Sequence, residues 1–214
     1  MTREPFSATN ERVDKMLAIV PTPYASKVKM TSEVSREVLL DCIAGRRAAL
    51  GILVSCYERR VYAYLSRTLG PRYSLDDLAQ EVFLRAYPAL SRFDPEGAAK
   101  FSTWLLAIAH HVAIDARRRW RPEGEPLLAE GHASLLPSPE EQLQHEQLRA
   151  AVARAVEQLS DEQREVFVLA TFHELTTEEI AQVVGAFEAT VKTRLFRAKA
   201  KLRLLLGSRF EVTP

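Results

Sequence analysis

A chain of 214 residues, 47% apolar and 27% charged, has the composition of ordinary globular protein, sufficient for one domain or two small ones. Its net charge of +1 excludes a uniformly basic nucleic-acid binder, so any DNA affinity has to come from local segregation of charge. No apolar run approaches the ~18 residues that a bilayer span requires, so no membrane insertion is expected. Residues 1–32 carry Pro5, Pro21 and Pro23 among scattered charges and read as a weakly ordered extension, with Met30 a plausible alternative start. Apolar periodicity then predicts an all-α chain, with helices over about 33–44, 46–69, 75–90 and 101–120. Gly45, Gly70-Pro71 and Asp94-Pro95-Glu96-Gly97 interrupt the pattern where turns are needed, and Ser74 with Asp77 reads as a helix cap. No stretch alternates long enough to predict a strand.

Cys42 and Cys56 form no Cys-x-x-Cys unit and read as buried reduced thiols, which points to a cytoplasmic protein. His110 and His111 are adjacent, so on a helix they diverge by about 100° and are badly placed to clamp one metal. The sequence holds no glycine-rich nucleotide loop, no His-Glu-x-x-His and no Gly-x-Ser-x-Gly; neither an enzyme nor a cofactor or metal is expected. Residues 121–139 contain Pro122, Pro126, Pro137 and Pro139 with Gly124 and Gly131, the composition of a linker. Two helical domains follow, 33–120 and 140–210, the second restarting at Ser138-Pro139-Glu140-Glu141 and capped again at Ser160-Asp161-Glu162-Gln163.

The end of the chain carries the sharpest local signal. Thr176 with Glu179 forms a capping box, Gly185 supplies the left-handed residue that ends a helix, and Thr190 to Lys199 continues as a second, basic helix. Ile180, Val183, Val184, Val191 and Leu195 fall on faces that would pack the two helices together. Eight acids stand between Glu157 and Glu188 against Arg164 alone, whereas Lys192 to Arg209 holds seven basic residues and no acid. Two short helices around a tight turn, the second basic, are the sequence form of a helix-turn-helix that binds DNA. In the first domain, Asp76, Asp77 and Glu81 sit near a helix start, where the dipole favours carboxylates. Arg117, Arg118, Arg119 and Arg121 close its last helix. Phe93, Phe101, Trp104 and Trp120 accompany them, although the spacing of Phe101 and Trp104 also suits a core.

The segments Asp76-Asp77-Leu78-Ala79-Gln80-Glu81-Val82-Phe83-Leu84-Arg85-Ala86-Tyr87, Phe101 to Ala109 and Ala113 to Arg119 resemble region two of the extracytoplasmic-function (ECF) sigma factors. Leu159 through Leu202, with its Thr-Val-Lys-Thr-Arg-Leu core, resembles their region four. The resemblance covers about residues 33–206 and implies a non-catalytic subunit that binds core RNA polymerase, recognises a two-part promoter and helps melt it. It implies that Asp77, Gln80 and Glu81 dock on the β′ coiled-coil, with region four reaching the β flap. The loop of about 92–100 would hold a flipped base of the minus-10 element, and Phe101, His111, Asp115, Arg118 and Arg119 would engage that element. Lys192, Thr193 and Phe196 would read the minus-35 element, with Thr190, Arg194 and Arg197 on phosphates. An anti-sigma factor is a further implied partner. The chain departs from the family at Phe187, Ala189 and His111, where Pro or Ser, Gly, and Asn are usual. Two other readings fit parts of the sequence: a helix-turn-helix regulator that works without polymerase, and a sigma mimic that sequesters an anti-sigma factor.

Overall fold

The computed structural model describes residues 33–70, 72–119 and 151–210, with side chains of the last helix described to 206. The expected extension, linker and Ser138 cap lie outside these residues. The N-terminal unit comprises α1 (Arg36–Ile43), α2 (Arg47–Leu69), α3 (Leu75–Ala89), a 3-10 turn (Leu90–Arg92) and α4 (Phe101–Arg119). The C-terminal unit comprises helical residues 151–157, then α5 (Asp161–Phe172), α6 (Thr177–Val184) and α7 (Glu188–Phe210). There is no strand among the described residues.

α2, α3 and α4 pack on one another around Val61, Tyr64, Leu65, Val82, Leu105, Leu106 and Val112, all essentially removed from water. Each such side chain contributes on the order of 1.5–3 kcal/mol of transfer free energy. Glu33 fastens the chain start to this core: its carboxylate accepts from the Tyr57 hydroxyl at 2.7 Å and from the Ser102 backbone N–H at 3.2 Å, satisfying an orphan donor in the first turn of α4. Gly70, at φ 81°, ends α2 in a conformation that a side chain would strain.

The caps differ in how they are made. Ser160 and Thr176 form complete capping boxes with Gln163 and Glu179, as their spacing predicts. Ser74 stands at the N-cap position of α3 but makes no side-chain cap bond; only its carbonyl accepts, from Leu78 N–H at 3.1 Å. Cys42 is buried, as expected, whereas Cys56 is exposed because α2 turns Leu53, Tyr57, Arg60, Val61 and Tyr64 inward.

The two units are not separate bodies. A small cluster, including Val152, Val156, Leu159, Phe167, Leu202 and Leu206, binds residues 151–157 to α5 and α7. The other side of α5 contributes Val166, Val168 and Leu169 to the large cluster that also holds Leu105 and Leu106, and Ile180, Val183 and Val191 join it. α6 lies against α4, and α5 against α2.

Candidate nucleic-acid and polymerase interface

The helix-turn-helix is built by the local chemistry that the sequence announces. Thr176 accepts from Glu179 N–H at 3.2 Å, and the Glu179 carboxylate accepts from Thr176 N–H at 2.9 Å. Gly185 is left-handed at φ 62° and ψ 40°, donating to Ala181 O and turning the chain into α7. At Phe187, which has no capping side chain, the carbonyl still accepts from Thr190 and Val191 N–H at 2.9 and 3.1 Å, so α7 begins at Glu188. Ile180, Val183 and Val191 are buried between the helices, with Val184 and Leu195 half-buried.

The outer face of α7 is open to solvent. Lys192, Thr193, Phe196 and Arg197 are exposed, Phe196 at 71%, while Thr190 and Arg194 are half-buried. Two of the basic side chains are engaged by acids: Lys192 pairs with Glu188 at 3.0 Å, and Arg194 reaches Glu162 of α5 at 3.0 Å. The Thr193 hydroxyl donates back to Ala189 O at 2.9 Å. Phe187, at 86% exposure, stands where the recognition helix begins.

On the N-terminal unit, an ionic network joins α3 to α4. Arg85 bonds Glu81 and, at 2.7 Å, Asp115, and Arg119 bonds Glu81 at 3.0 Å. The network therefore pairs Glu81, a residue expected to meet polymerase, with Arg119, one expected to meet DNA. Partial burial would raise the Glu81 carboxyl, but hydrogen bonds from Arg119 and Arg85 outweigh it and hold the group below its ordinary range. The hydrogen bond from Arg85 likewise lowers Asp115. Asp77 and Gln80 are exposed, and Gln80 lines a groove of about 520 Å³ between α2 and α3 with Val54, Tyr62, Phe83, Leu84 and Tyr87. His111 and Arg118 face solvent, His111 bonding its own helix at Ala107 O. Phe101 is not on the surface: at 2% exposure it is enclosed by Tyr57, Phe93 and Trp104, with ring centroids 5.1 to 5.3 Å away. Its apolar spacing with Trp104 decided its place, and it backs the aromatic wall rather than presenting a face.

The junction between the units holds buried polar and charged groups that no local motif advertises. Glu165 of α5 is buried and bonded to Arg117 of α4, and its second oxygen lies 3.6 Å from His110 Nδ1. That nitrogen also meets the Tyr64 hydroxyl at 3.2 Å. Burial foremost, then the nearby His111, Arg117 and Arg194, pushes His110 down to about 4, so it is neutral at pH 7. Burial raises the Glu165 carboxyl, with Arg117 countering in part. His173 is buried against the Tyr64 ring, both its nitrogens lack a hydrogen-bond partner, and burial followed by Arg60 and Arg67 lowers it to about 3. Arg164 closes two helix ends at once: it donates to Thr68 O at the end of α2, and to Val156 O, Glu157 O and Leu159 O at the end of the preceding helix. Arg67 stacks on Phe172 at 4.1 Å, and Lys100 pairs with Glu179 at 2.8 Å. Among the described residues there is no His, Cys, Asp and Glu grouping able to hold a metal, and no helix long and apolar enough to cross a membrane.

Comparison with known proteins accounts for both units. The family model for Sigma-70 region 2 matches residues 53–122, and that for Sigma-70, region 4 matches residues 149–202. The chain is 32% identical over 169 residues to the ECF RNA polymerase sigma factor SigW of Bacillus subtilis, covering 74% of this chain and 89% of that one. It is 32% identical over 181 residues to the ECF RNA polymerase sigma-E factor of Escherichia coli, covering 79% and 93%. Among solved structures it resembles CnrH in complex with the cytosolic domain of CnrY, at 27% identity and a TM-score of 0.58, covering 81% of this chain and 97% of that one. The chain belongs to the sigma-70 family as an ECF sigma factor with a region 2 and a region 4, a non-enzymatic subunit that directs RNA polymerase to promoters.

Proposed function

We propose a division of labour by residue. In region 4, Lys192, Thr193 and Phe196 read base edges of the minus-35 element in the major groove, and Thr190, Arg194 and Arg197 hold phosphates. The observation that carries this is the solvent-exposed basic and aromatic face of α7 directly after a capped helix and the left-handed Gly185. Helix-turn-helix proteins place the N-terminal part of the second helix against bases. In region 2, His111, Asp115, Arg118 and Arg119 lie toward the C-terminal half of α4 and engage the minus-10 element, with Phe101 supporting the aromatic wall from beneath. Capture of unpaired bases there shifts the equilibrium toward melted DNA.

Asp77, Gln80 and Glu81 serve the β′ coiled-coil of core polymerase; the exposed apolar groove beside Gln80 supports this docking role. Region 4 meets the β flap. The domain limits that suit these roles are 33–120 and 140–210, joined by the 121–139 linker, and the site of action is the cytoplasm. CnrH was solved with the cytosolic domain of CnrY, and a relative of 20% identity, RpoE of Bartonella quintana, with the anti-sigma factor NepR. An anti-sigma partner is proposed here on that likeness.

The test reconstitutes holoenzyme and uses a promoter fragment that it selects from genomic DNA. Arg194→Ala with Arg197→Ala should weaken binding and lower the salt slope by about 1.8, at roughly 0.9 per phosphate contact. A loss of affinity with an unchanged slope would reject the phosphate assignments. Failure to associate with core polymerase would reject the larger reading.

A further inference from the structure

We infer that Phe187 is a specificity residue of region 4, its ring closing on the C5-methyl of a thymine in the minus-35 element. This deepens the minus-35 reading above and rests on it. Among the exposed large apolar side chains of the described residues Phe187 is the most open, at 86%, ahead of Leu204 at 76% and Phe196 at 71%. It belongs to neither hydrophobic cluster. Nor does its side chain make the turn. The Phe187 carbonyl accepts from Thr190 and Val191 N–H at 2.9 and 3.1 Å, a service that any residue supplies, and Gly185 turns the chain at φ 62°. A serine in this place ahead of Glu188 would add a side-chain bond to an orphan N–H, so phenylalanine forgoes stability here.

What the ring forgoes inside the chain it can recover against a base. The N-terminal end of the second helix is the part of a helix-turn-helix that meets base edges, and Phe187 stands at the tip of that end. Phosphate is the wrong partner for this tip. Glu188 occupies the positive end of the α7 dipole and pairs with Lys192 at 3.0 Å, so the field that would draw a phosphate is already answered by a carboxylate. What stays open there is apolar: the ring of Phe187 and the exposed methyl of Ala189, a side chain small enough to let the backbone approach the groove. On the major-groove edge of a base pair the apolar feature is the thymine C5-methyl, and phenylalanine is among the side chains that contact it. Phe196 lies nine residues further on, ~13.5 Å along the axis at 1.5 Å per residue, so the two rings address different steps of the duplex.

The test is a thymine-to-deoxyuridine scan of the minus-35 element, in a promoter fragment selected by the reconstituted holoenzyme and read by competition binding. Deoxyuridine pairs as thymine does and lacks only the methyl. At least one thymine should lose about fourfold in affinity on this change, from ~0.8 kcal/mol for a buried methyl at 1.4 kcal/mol per tenfold. Phe187→Ala and Phe187→Ser should each erase that difference, whereas Phe196→Ala should weaken binding yet keep it. Phe187→Ser should also hold or raise the thermal midpoint of the free chain, because serine caps the helix. Loss of the difference only in variants whose midpoint falls would overturn the inference, since a turn-shaping role does the same. An element without a sensitive thymine, or a difference that survives both Phe187 variants, would overturn it and leave α7 as the minus-35 reader. Weaker association of Phe187→Ala with core polymerase, the thymine difference intact, would assign the ring to polymerase instead. A chain that never associates with core would reject the sigma reading, and this inference with it.

Discussion

Replacing His173 with phenylalanine should stabilise the chain, and by a larger margin at acidic pH. The ring is 4% exposed, lies edge-on to Tyr64 at a centroid distance of 5.9 Å, and buries two nitrogens that have no partner. Phenylalanine keeps the ring contact and removes both polar atoms, each of which costs about 1–3 kcal/mol when left unsatisfied. A gain of about 1–2 kcal/mol at pH 7.5 allows for imperfect repacking. Acid adds a second contribution. His173 is lowered to about 3 in the packed state, so below its ordinary value near 6.5 the unpacked chain binds a proton that the packed chain refuses. Its contribution to stability is present in full above that value and is lost as pH falls toward 3, about 2 kcal/mol of it by pH 5 at ~1.4 kcal/mol per unit. His110, lowered to about 4, works in the same direction. It is faced by Tyr64, Glu165, Arg117, His111 and Arg194, and His173 by Tyr64, Arg60 and Arg67. Glu165 opposes them, because burial raises it and the packed form takes up that proton first on acidification. Urea midpoints at pH 7.5 and 5.0 measure the effect: the histidine-to-phenylalanine change should remove about 2 kcal/mol of the acid sensitivity. Equal acid losses in both proteins would refute the assignment of a suppressed proton to His173.

Arg164→Met should cost about 2–4 kcal/mol in the same urea assay, since it strips the charged donor from carbonyls at two helix ends in one step; a loss below about 0.5 kcal/mol would show that water replaces it freely. Gly185→Ala should cost about 1 kcal/mol, from backbone conformation alone, because φ is 62° and a new Cβ would meet nothing within 4 Å. Asparagine at that position, which tolerates the left-handed region, should recover part of the loss in thermal melts.

What the sequence displays is what neighbouring residues decide among themselves. The boxes at Ser160 and Thr176, the turn at Gly185 and the divergence of His110 from His111 each depend on spacings of a few positions, and each stands in the structure. Ser74 has the same local grammar as Ser160 yet makes no side-chain bond, so a permissive spacing does not ensure the contact. The aromatic quartet shows the limit for sites: Phe101 has the chemistry for stacking bases and also the periodicity of a core residue, and packing against Tyr57, Phe93 and Trp104 settled the matter. The junction was illegible for a different reason. Glu165 and Arg117 are 48 positions apart and Arg164 and the Thr68 carbonyl are 96 apart, and each of the three ionic side chains reads in isolation as a solvated surface charge. Only the meeting of the two units makes them buried partners.

Glu179 holds the start of α6 by a bond that is independent of the neighbouring unit. Its carboxylate serves Lys100 across the junction and Thr176 N–H within the capping box. In a Lys100→Ala chain the second bond would remain and the positive end of the α6 dipole would still hold the charge, leaving no polar group of the cap orphaned. The start of the helix-turn-helix therefore does not depend on Lys100 for its shape.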